Sequence, residues 1–282
     1  MWILGVSCLG IGVAGCTPNG LAAGAGAPNA TVPPLLQPFV DFPVHTSPRP
    51  IVVLPGPVGF DMQAGGQPAS FPDDDSKLAY VSGAIDPPSH FPDGPAQADG
   101  YPIIGSAEAF RLLTRRGTGS SQAPAVPRLW VTAVSLGKAT FETDRGSLSL
   151  PAWLFSISKS NFLTPVLALA PARQWTPSGV SRNLWTSIDE GATIGKDDRN
   201  ITIGFIGARS GTGPCTSDYS LAAAEYPTFV AVRIIEHRHG TAKELCTLEG
   251  YRRSASTVLQ TPIGNRLLVN ATNGRVMAAH PG

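Results

Sequence analysis

The chain has almost no net charge. Its 282 residues carry 21 basic and 20 acidic side chains, a net charge of +1. This balance gives no indication of a nucleic-acid partner, which would favour a clear basic excess. The charge is uneven along the chain, because residues 16–100 carry a net charge of −6 and residues 101–282 a net charge of +7. We therefore expect an acidic leader followed by a mildly basic folded part.

The apolar run at the start of the chain is too short to span a membrane. Residues 1–15 contain no charged side chain, but they fall short of the roughly 20 apolar residues that a transmembrane helix needs. Their composition is typical of the apolar region of a signal peptide, although no Lys or Arg precedes Arg49. We expect residues 1–15 to be removed by cleavage before Cys16.

The residues around this cleavage site resemble a lipobox. Val13, Ala14 and Gly15 precede Cys16, and in bacterial lipoproteins an apolar residue and two small residues precede the lipidated cysteine. The resemblance implies a diacylglyceryl group on the Cys16 thiol and a membrane anchor on the extracytoplasmic face. Cys8 has too little apolar sequence before it for this role. A plain secretory peptide with an incidental Cys16 is the alternative.

Few cysteines remain once Cys16 is assigned to a lipid. Cys215 and Cys246 are then a single pair in an oxidising compartment. Neither has a second cysteine two or three residues away, as zinc sites usually do. We therefore predict a disulfide that closes a loop of about 30 residues rather than a metal or catalytic thiol.

The chain divides by composition into a stalk and two blocks. Residues 16–75 are crowded with Pro, Gly and Ala and predict a stalk, with residues 51–54 as a short strand that could dock on the core. The first block, 76–174, and the second block, 175–282, each show a strand pattern, a helix pattern and then several strand patterns.

Each block has one predicted helix. In the first block, a strand at 78–84 precedes a helix that Ser106 caps and that runs to Arg116. In the second, a strand at 201–207 precedes a short helix at 221–225. The remaining predicted strands lie at 128–136, 138–143, 147–157, 165–170, 228–239, 254–260, 265–271 and after Asn273-Gly274. Asp144, Arg145 and Gly146 are predicted to form the turn between the second and third of these strands. Since the connections are too short for crossover helices, we predict an α+β fold with antiparallel sheets, few short helices and two similar β-α-β-β-β blocks.

The first block also has a family likeness. Its runs YPIIGSAEAFRLL, VTAVSLGKATF and LPAWLF resemble the small α+β domains of bacterial envelope regulatory lipoproteins, the PepSY-like group. The likeness covers about a third of the chain and implies a regulatory role in the envelope. The chain is also similar to uncharacterised lipoproteins of high-GC Gram-positive bacteria, a likeness that implies no activity.

Two histidines are candidates for a metal site. His237 and His239 stand two apart at the end of a predicted strand, so both imidazoles should lie on one face with Glu236 on the other. Asp218 or His280 could supply a third ligand, but nothing in the sequence marks either. We favour a polar strand end and predict no metal.

A second constellation contains a candidate nucleophile. Residues 156–159 spell S-x-x-K, in which a helix brings Ser156 and Lys159 together. Here the motif follows a strand pattern, and no S-D-N or K-T-G partner occurs. G-x-S-x-G and H-E-x-x-H are also missing from the chain. We predict no catalytic residue and no cofactor.

The sequence favours a non-catalytic binding or regulatory module of the cell envelope. Its partners would be the membrane, through the lipid, and an envelope protein or polymer. The alternatives are a cell-wall hydrolase or transferase that uses Ser156 or the two histidines, and a solute-binding protein. Of the aromatic residues Trp130, Trp153, Phe155 and Phe162, we expect most in the core, and an exposed one would mark a peptide or glycan surface.

Overall fold

A computed structural model describes most of the chain after residue 30. The described residues are 31–54, 56, 58–59, 63–64, 67–68, 70–115, 127–178, 186–240, 246–247 and 249–282. The predicted signal peptide and Cys16 lie outside them.

The described residues form two α-helices and fifteen strands. The helices are α1 (Asp74–Val81) and α2 (Ser106–Thr114), and two 3₁₀ helices cover Pro34–Phe39 and Pro171–Arg173. The short strands are β1 (Gln63–Ala64), β2 (Gln67–Pro68), β3 (Ile85–Asp86), β4 (Gln97–Ala98) and β5 (Tyr101–Pro102). The longer strands are β6 (Leu129–Thr143), β7 (Gly146–Ile157), β8 (Leu163–Leu167), β9 (Thr186–Ile194), β10 (Asn200–Gly207), β11 (Ser217–Glu225), β12 (Phe229–Arg238), β13 (Tyr251–Val258), β14 (Leu267–Asn270) and β15 (Arg275–Pro281).

A four-stranded sheet with the order β3-β6-β7-β8 carries the helices on one face. Its centre is the antiparallel β6–β7 hairpin, which turns where Thr143 faces Gly146. Tyr80 from α1 and Leu113 from α2 pack in one core with Trp153 and Phe155 of β7. The predicted helix-on-sheet arrangement of the first block is therefore confirmed.

A seven-stranded sheet with the order β11-β12-β14-β15-β9-β10-β13 makes up the second half. Most neighbours are antiparallel, but β12 pairs with β14, and β15 with β9, in parallel. The sheet curls until its edge strands β11 and β13 face each other, and side chains from all seven strands share one interior core. The predicted α+β class with largely antiparallel sheets and few short helices is confirmed.

Residues 34–54, which we predicted as part of a stalk, lie in the folded core. Leu36, Phe39 and Phe42 pack with Val52 and Leu54 on the outer face of β12, β14 and β15. Residues 51–54 dock on the core as predicted, but they form isolated bridges, from Ile51 to Gln174 and from Val53 to Thr143, instead of the predicted short strand. Proline interrupts any regular period here, so the apolar residues gave no strand or helix signal.

Two predicted elements have the wrong secondary structure. Residues 78–84, predicted as a strand, fall largely within α1, which begins where the Asp73 side chain accepts a hydrogen bond from the Ser76 N–H. Residues 221–225, predicted as a helix, form the end of β11, which pairs with β12 over its whole length. The second block therefore has no α-helix among its described residues, and the two blocks differ in plan.

The start of the predicted Ser106 helix also differs. Gly105 is the N-cap residue of α2, and the Ser106 hydroxyl donates to the Pro92 carbonyl oxygen at 2.8 Å. Ser106 therefore ties the helix to the preceding loop instead of capping it.

Candidate functional site

The predicted disulfide is present and links the start of the β11–β12 hairpin to the segment before β13. Cys215 and Cys246 are bonded, with 5.6 Å between their Cα atoms, a normal span for a bridge. No helix in the described part of the chain is long and apolar enough to cross a membrane.

The two candidate histidines do not converge on one point. The His237 Nε2 atom lies 2.8 Å from the Ser220 hydroxyl, and the His239 Nε2 atom lies 2.9 Å from an Asp218 carboxylate oxygen. Each imidazole therefore has its own neighbour on β11. Within the described residues, no group of three or more His, Cys, Asp or Glu side chains is placed to hold a metal ion.

Glu236 and His280 are directed elsewhere. Glu236 accepts a hydrogen bond from the Ser217 hydroxyl at 2.8 Å, which lowers the pKa of this carboxyl. His280 lies on β15 beside Gly146, where an added Cβ would come within 2.9 Å of its Nδ1 atom. Of the two suggested third ligands, only Asp218 is near the histidines, and its carboxylate is hydrogen-bonded to His239.

Ser156 and Lys159 do not stand on a helix. Ser156 is in β7, opposite Leu163 of β8, while Lys159 lies in the following turn with a φ of +59°. The helical turn that the S-x-x-K chemistry requires is therefore replaced by a strand and a turn.

One of the four singled-out aromatic residues is exposed. Trp153, Phe155 and Phe162 are buried, as expected, but Trp130 is 51% exposed. Trp130 stands near the start of β6, opposite Asp86 of β3. We expected an exposed aromatic residue to mark a binding surface, so β6 is the candidate binding strand.

Among the described residues, cover over the outer edge of β6 is confined to its two ends. Leu129 and Trp130 pair with β3, and at the other end the Leu54 N–H donates to the Glu142 carbonyl oxygen at 2.9 Å. Between these ends, residues 132–141 form what we call the open edge, and no strand among the described residues pairs with it on the side away from β7.

Backbone groups of alternate residues face this open edge. The Asp144 N–H donates to Val52 and the Glu142 carbonyl accepts from Leu54, so even-numbered residues at this end direct their backbone groups away from β7. The β6–β7 register is continuous from Ala133 to Thr143, and in an antiparallel strand the backbone N–H and C=O groups of successive residues point to opposite sides. The same direction therefore holds for the even-numbered residues of the open edge, Val134, Leu136, Lys138 and Thr140.

The charged side chains beside the open edge are paired. Arg128 lies 2.7 Å from Asp86, and Lys138 lies 3.0 Å from Asp99. Both pairs are largely exposed and form where the edge begins and along its middle. The two cations of this surface are therefore balanced within the chain.

Sequence reasoning predicted the strand but missed that its edge is open. Two signals were available, because Lys138 and Gly137 are residues that edge strands use to discourage unwanted pairing. The β-bulge between Val131 and Ala133 is a third such feature, but a bulge is visible only in the structure.

Comparison with family models, with curated proteins and with solved structures finds no match to this chain, so its function has to be argued from its own geometry.

Proposed function

We propose that this chain is a lipid-anchored protein of the extracytoplasmic membrane face whose folded part binds an envelope partner without catalysing a reaction. The anchor would be a lipid on Cys16, for which Val13, Ala14 and Gly15 are the support. The disulfide is consistent with an extracytoplasmic location, because such bonds persist in oxidising compartments.

The open edge of β6 is the observation that carries the binding proposal. No other part of the described structure pairs with its outward-facing backbone donors and acceptors, and such groups are the ones that strand-adding partners use. The exposed ring of Trp130 stands at one end of it, and amphipathic aromatic side chains are enriched at protein interfaces.

The candidate catalytic groups give less support to an enzyme. Ser156 belongs to the four-stranded sheet, whereas His237 and His239 belong to the seven-stranded sheet. Acyl or phosphoryl transfer needs a nucleophile and a base within hydrogen-bond reach of each other. The Ser220–His237 contact is such a pair, but Asp218 is bonded to His239 rather than to His237.

The anchor is tested with Cys16→Ser. The variant should leave the membrane fraction or remain unprocessed, because the thiol that takes the lipid is gone. The measurement is membrane fractionation with intact mass of the mature protein. A wild-type mature protein whose N-terminus lies elsewhere, or which carries no lipid, contradicts the anchor.

The non-catalytic role is tested with Ser156→Ala and with His237→Ala combined with His239→Ala. Both variants should restore the growth of a deletion strain under envelope stress as well as the wild type does. Loss of rescue in either variant, with normal export and an unchanged thermal midpoint, would identify an enzyme.

A further inference from the structure

The open edge of β6 is recessed, which restricts what can occupy it. β3 covers the same edge before residue 132, and residues 52–54 cover it after residue 141. The ten residues between span about 34 Å at a strand rise of about 3.4 Å per residue. An added strand must therefore fit between two segments of this chain and leave the sheet at both ends.

This geometry argues against a second copy as the occupant. In a symmetric antiparallel pairing of two β6 edges, each β6 would continue past residue 141 into the place of the other copy's β3. Before residue 132 it would run into the place of the other copy's residues 52–54. Within the described part of the chain, a single extended peptide meets no such obstruction, because its ends can turn away from the sheet.

The charges beside the open edge favour an uncharged peptide. Arg128 and Lys138 already have Asp86 and Asp99 as partners, so a charged peptide would gain little and would have to displace one of these acids. Val134 and Leu136 are partly buried hydrophobic residues of the core beneath the helices, and they would lie beside alternate side chains of the added strand. On the other face stand Ala133, Ser135 and Gly137, which are small residues, and the Leu154 side chain covers Gly137.

We propose that the open edge, residues 132–141, binds an uncharged extended peptide as an additional strand of the four-stranded sheet. The peptide would alternate β-branched residues with small polar ones, and its backbone would pair with Val134, Leu136, Lys138 and Thr140. This inference rests on the proposed binding function and names its site and partner class.

Lys138→Pro is the test variant and Lys138→Ala its matched control. Both lose the ion pair with Asp99, but only proline removes the N–H that faces the open edge. Proline is tolerated where a strand N–H points away from the sheet, and Gly137 relieves the restriction on the preceding residue. The probe is a library of acetylated and amidated heptapeptides in which Val, Ile, Thr, Ser, Ala and Tyr are combined at random, screened against the full mature chain in detergent.

The best library peptide should bind Lys138→Ala as it binds the wild type and should bind Lys138→Pro about tenfold or more weakly. Methylation of alternate peptide nitrogens on one side of the strand should abolish binding to the wild type, a result that needs no protein variant. Hydrogen exchange at Leu136, Lys138 and Thr140 should slow in the complex.

The inference is overturned if no library peptide binds, if the best peptide binds Lys138→Pro as well as the wild type, or if the methylated peptide still binds the wild type. It is also overturned if a matched library rich in Lys and Glu binds more tightly, or if the protein forms a dimer that Lys138→Pro abolishes. Failure here is distinguishable from failure of the proposed function. A Lys138→Pro protein that still rescues the deletion strain removes the open edge as the site and leaves the lipid-anchored binder standing.

Discussion

Asp144 is a buried charged residue at the place where the two sheets meet. It stands in the β6–β7 turn with a side chain only 2% exposed, and it accepts hydrogen bonds from both Nη atoms of Arg49. The Arg145 Nε atom lies 3.7 Å away, and the Arg145 Nη2 atom donates to the Arg266 carbonyl oxygen at 2.8 Å. The Asp144 backbone also accepts from the Ala279 N–H of β15.

Asp144→Asn should destabilise the fold substantially. Removing one partner of a buried ion pair typically costs about 3 to 5 kcal/mol, because the other charge is left uncompensated. Arg49 keeps its hydrogen bond to the Asn265 carbonyl oxygen and is 16% exposed, so we expect the lower end of this range. A loss of about 3 kcal/mol in a chain of this size lowers the thermal midpoint by about 6 to 12 °C.

Urea unfolding followed by tryptophan fluorescence measures this loss. Asp86→Asn is the matched control, because it removes an acid from the exposed pair with Arg128 and should cost at most about 1 kcal/mol. If Asp144→Asn unfolds within about 1 kcal/mol of the wild type, the turn does not hold the sheets together as we argue.

Two further changes test the second sheet. Burial raises the pKa of Glu225, but hydrogen bonds donated by Thr261, Gln260 and Arg266 outweigh burial and hold the pKa below its ordinary 4.5. A depressed pKa stabilises the fold at pH values above the ordinary pKa, and this stabilisation is lost as the pH falls through the folded-state pKa. Glu225→Gln should therefore reduce the difference between the urea midpoints measured at about pH 6 and at about pH 3. An equal difference in the variant and the wild type contradicts this. Replacing both Cys215 and Cys246 by Ser removes the bridge between residues 31 positions apart. The free energy of unfolding should fall by about 3 to 4 kcal/mol, because the unfolded chain is no longer constrained. A variant with the urea midpoint of the wild type would contradict this.

The β6–β7 hairpin was predictable because local signals and tertiary structure agree there. Apolar and polar residues alternate on both sides of the turn, at 138–142 and 147–150, and Asp144, Arg145 and Gly146 supply a turn whose glycine has a φ of +89°. The strands β14 and β15 were predictable for a similar reason, since Asn273 and Gly274 separate two runs of β-forming residues.

The errors occur where tertiary contacts override local preference. Residues 222–224 are three alanines, which favour a helix in isolation, but β12 pairs with them and Leu221 packs in the interior core. In residues 40–54, after the short 3₁₀ helix, the buried positions follow no period, since they are set by the outer face of β12, β14 and β15.

The candidate site was predictable only in part. Elimination sufficed for the Cys215–Cys246 pair, because no other described cysteine competes for either thiol. The openness of β6 depends on which segments lie beside it, and those segments, residues 52–54 and 85–86, are distant in sequence. Alternation of residue types specifies the face of a strand but carries no information about its neighbours.

The other long sheet edges are covered, and this contrast is what makes the open edge of β6 informative. Residues 58 and 59 bond to β8 on its outer side, where the Gly59 N–H donates to the Pro165 carbonyl oxygen at 2.8 Å. β11 and β13 face each other, and the Glu225 carboxylate accepts from the Gln260 N–H at 2.5 Å at one end of that seam.

At the other end of the seam, the Arg253 guanidinium lies 5.0 Å from the centre of the Tyr219 ring. An unprotected edge is a hazard for aggregation, and proteins cover or charge such edges. In the described structure, three long edges and both ends of the fourth are covered, and Lys138 lies in the gap between those two ends. A strand-adding partner requires an uncovered stretch of edge backbone, and a lysine within that stretch discourages nonspecific pairing.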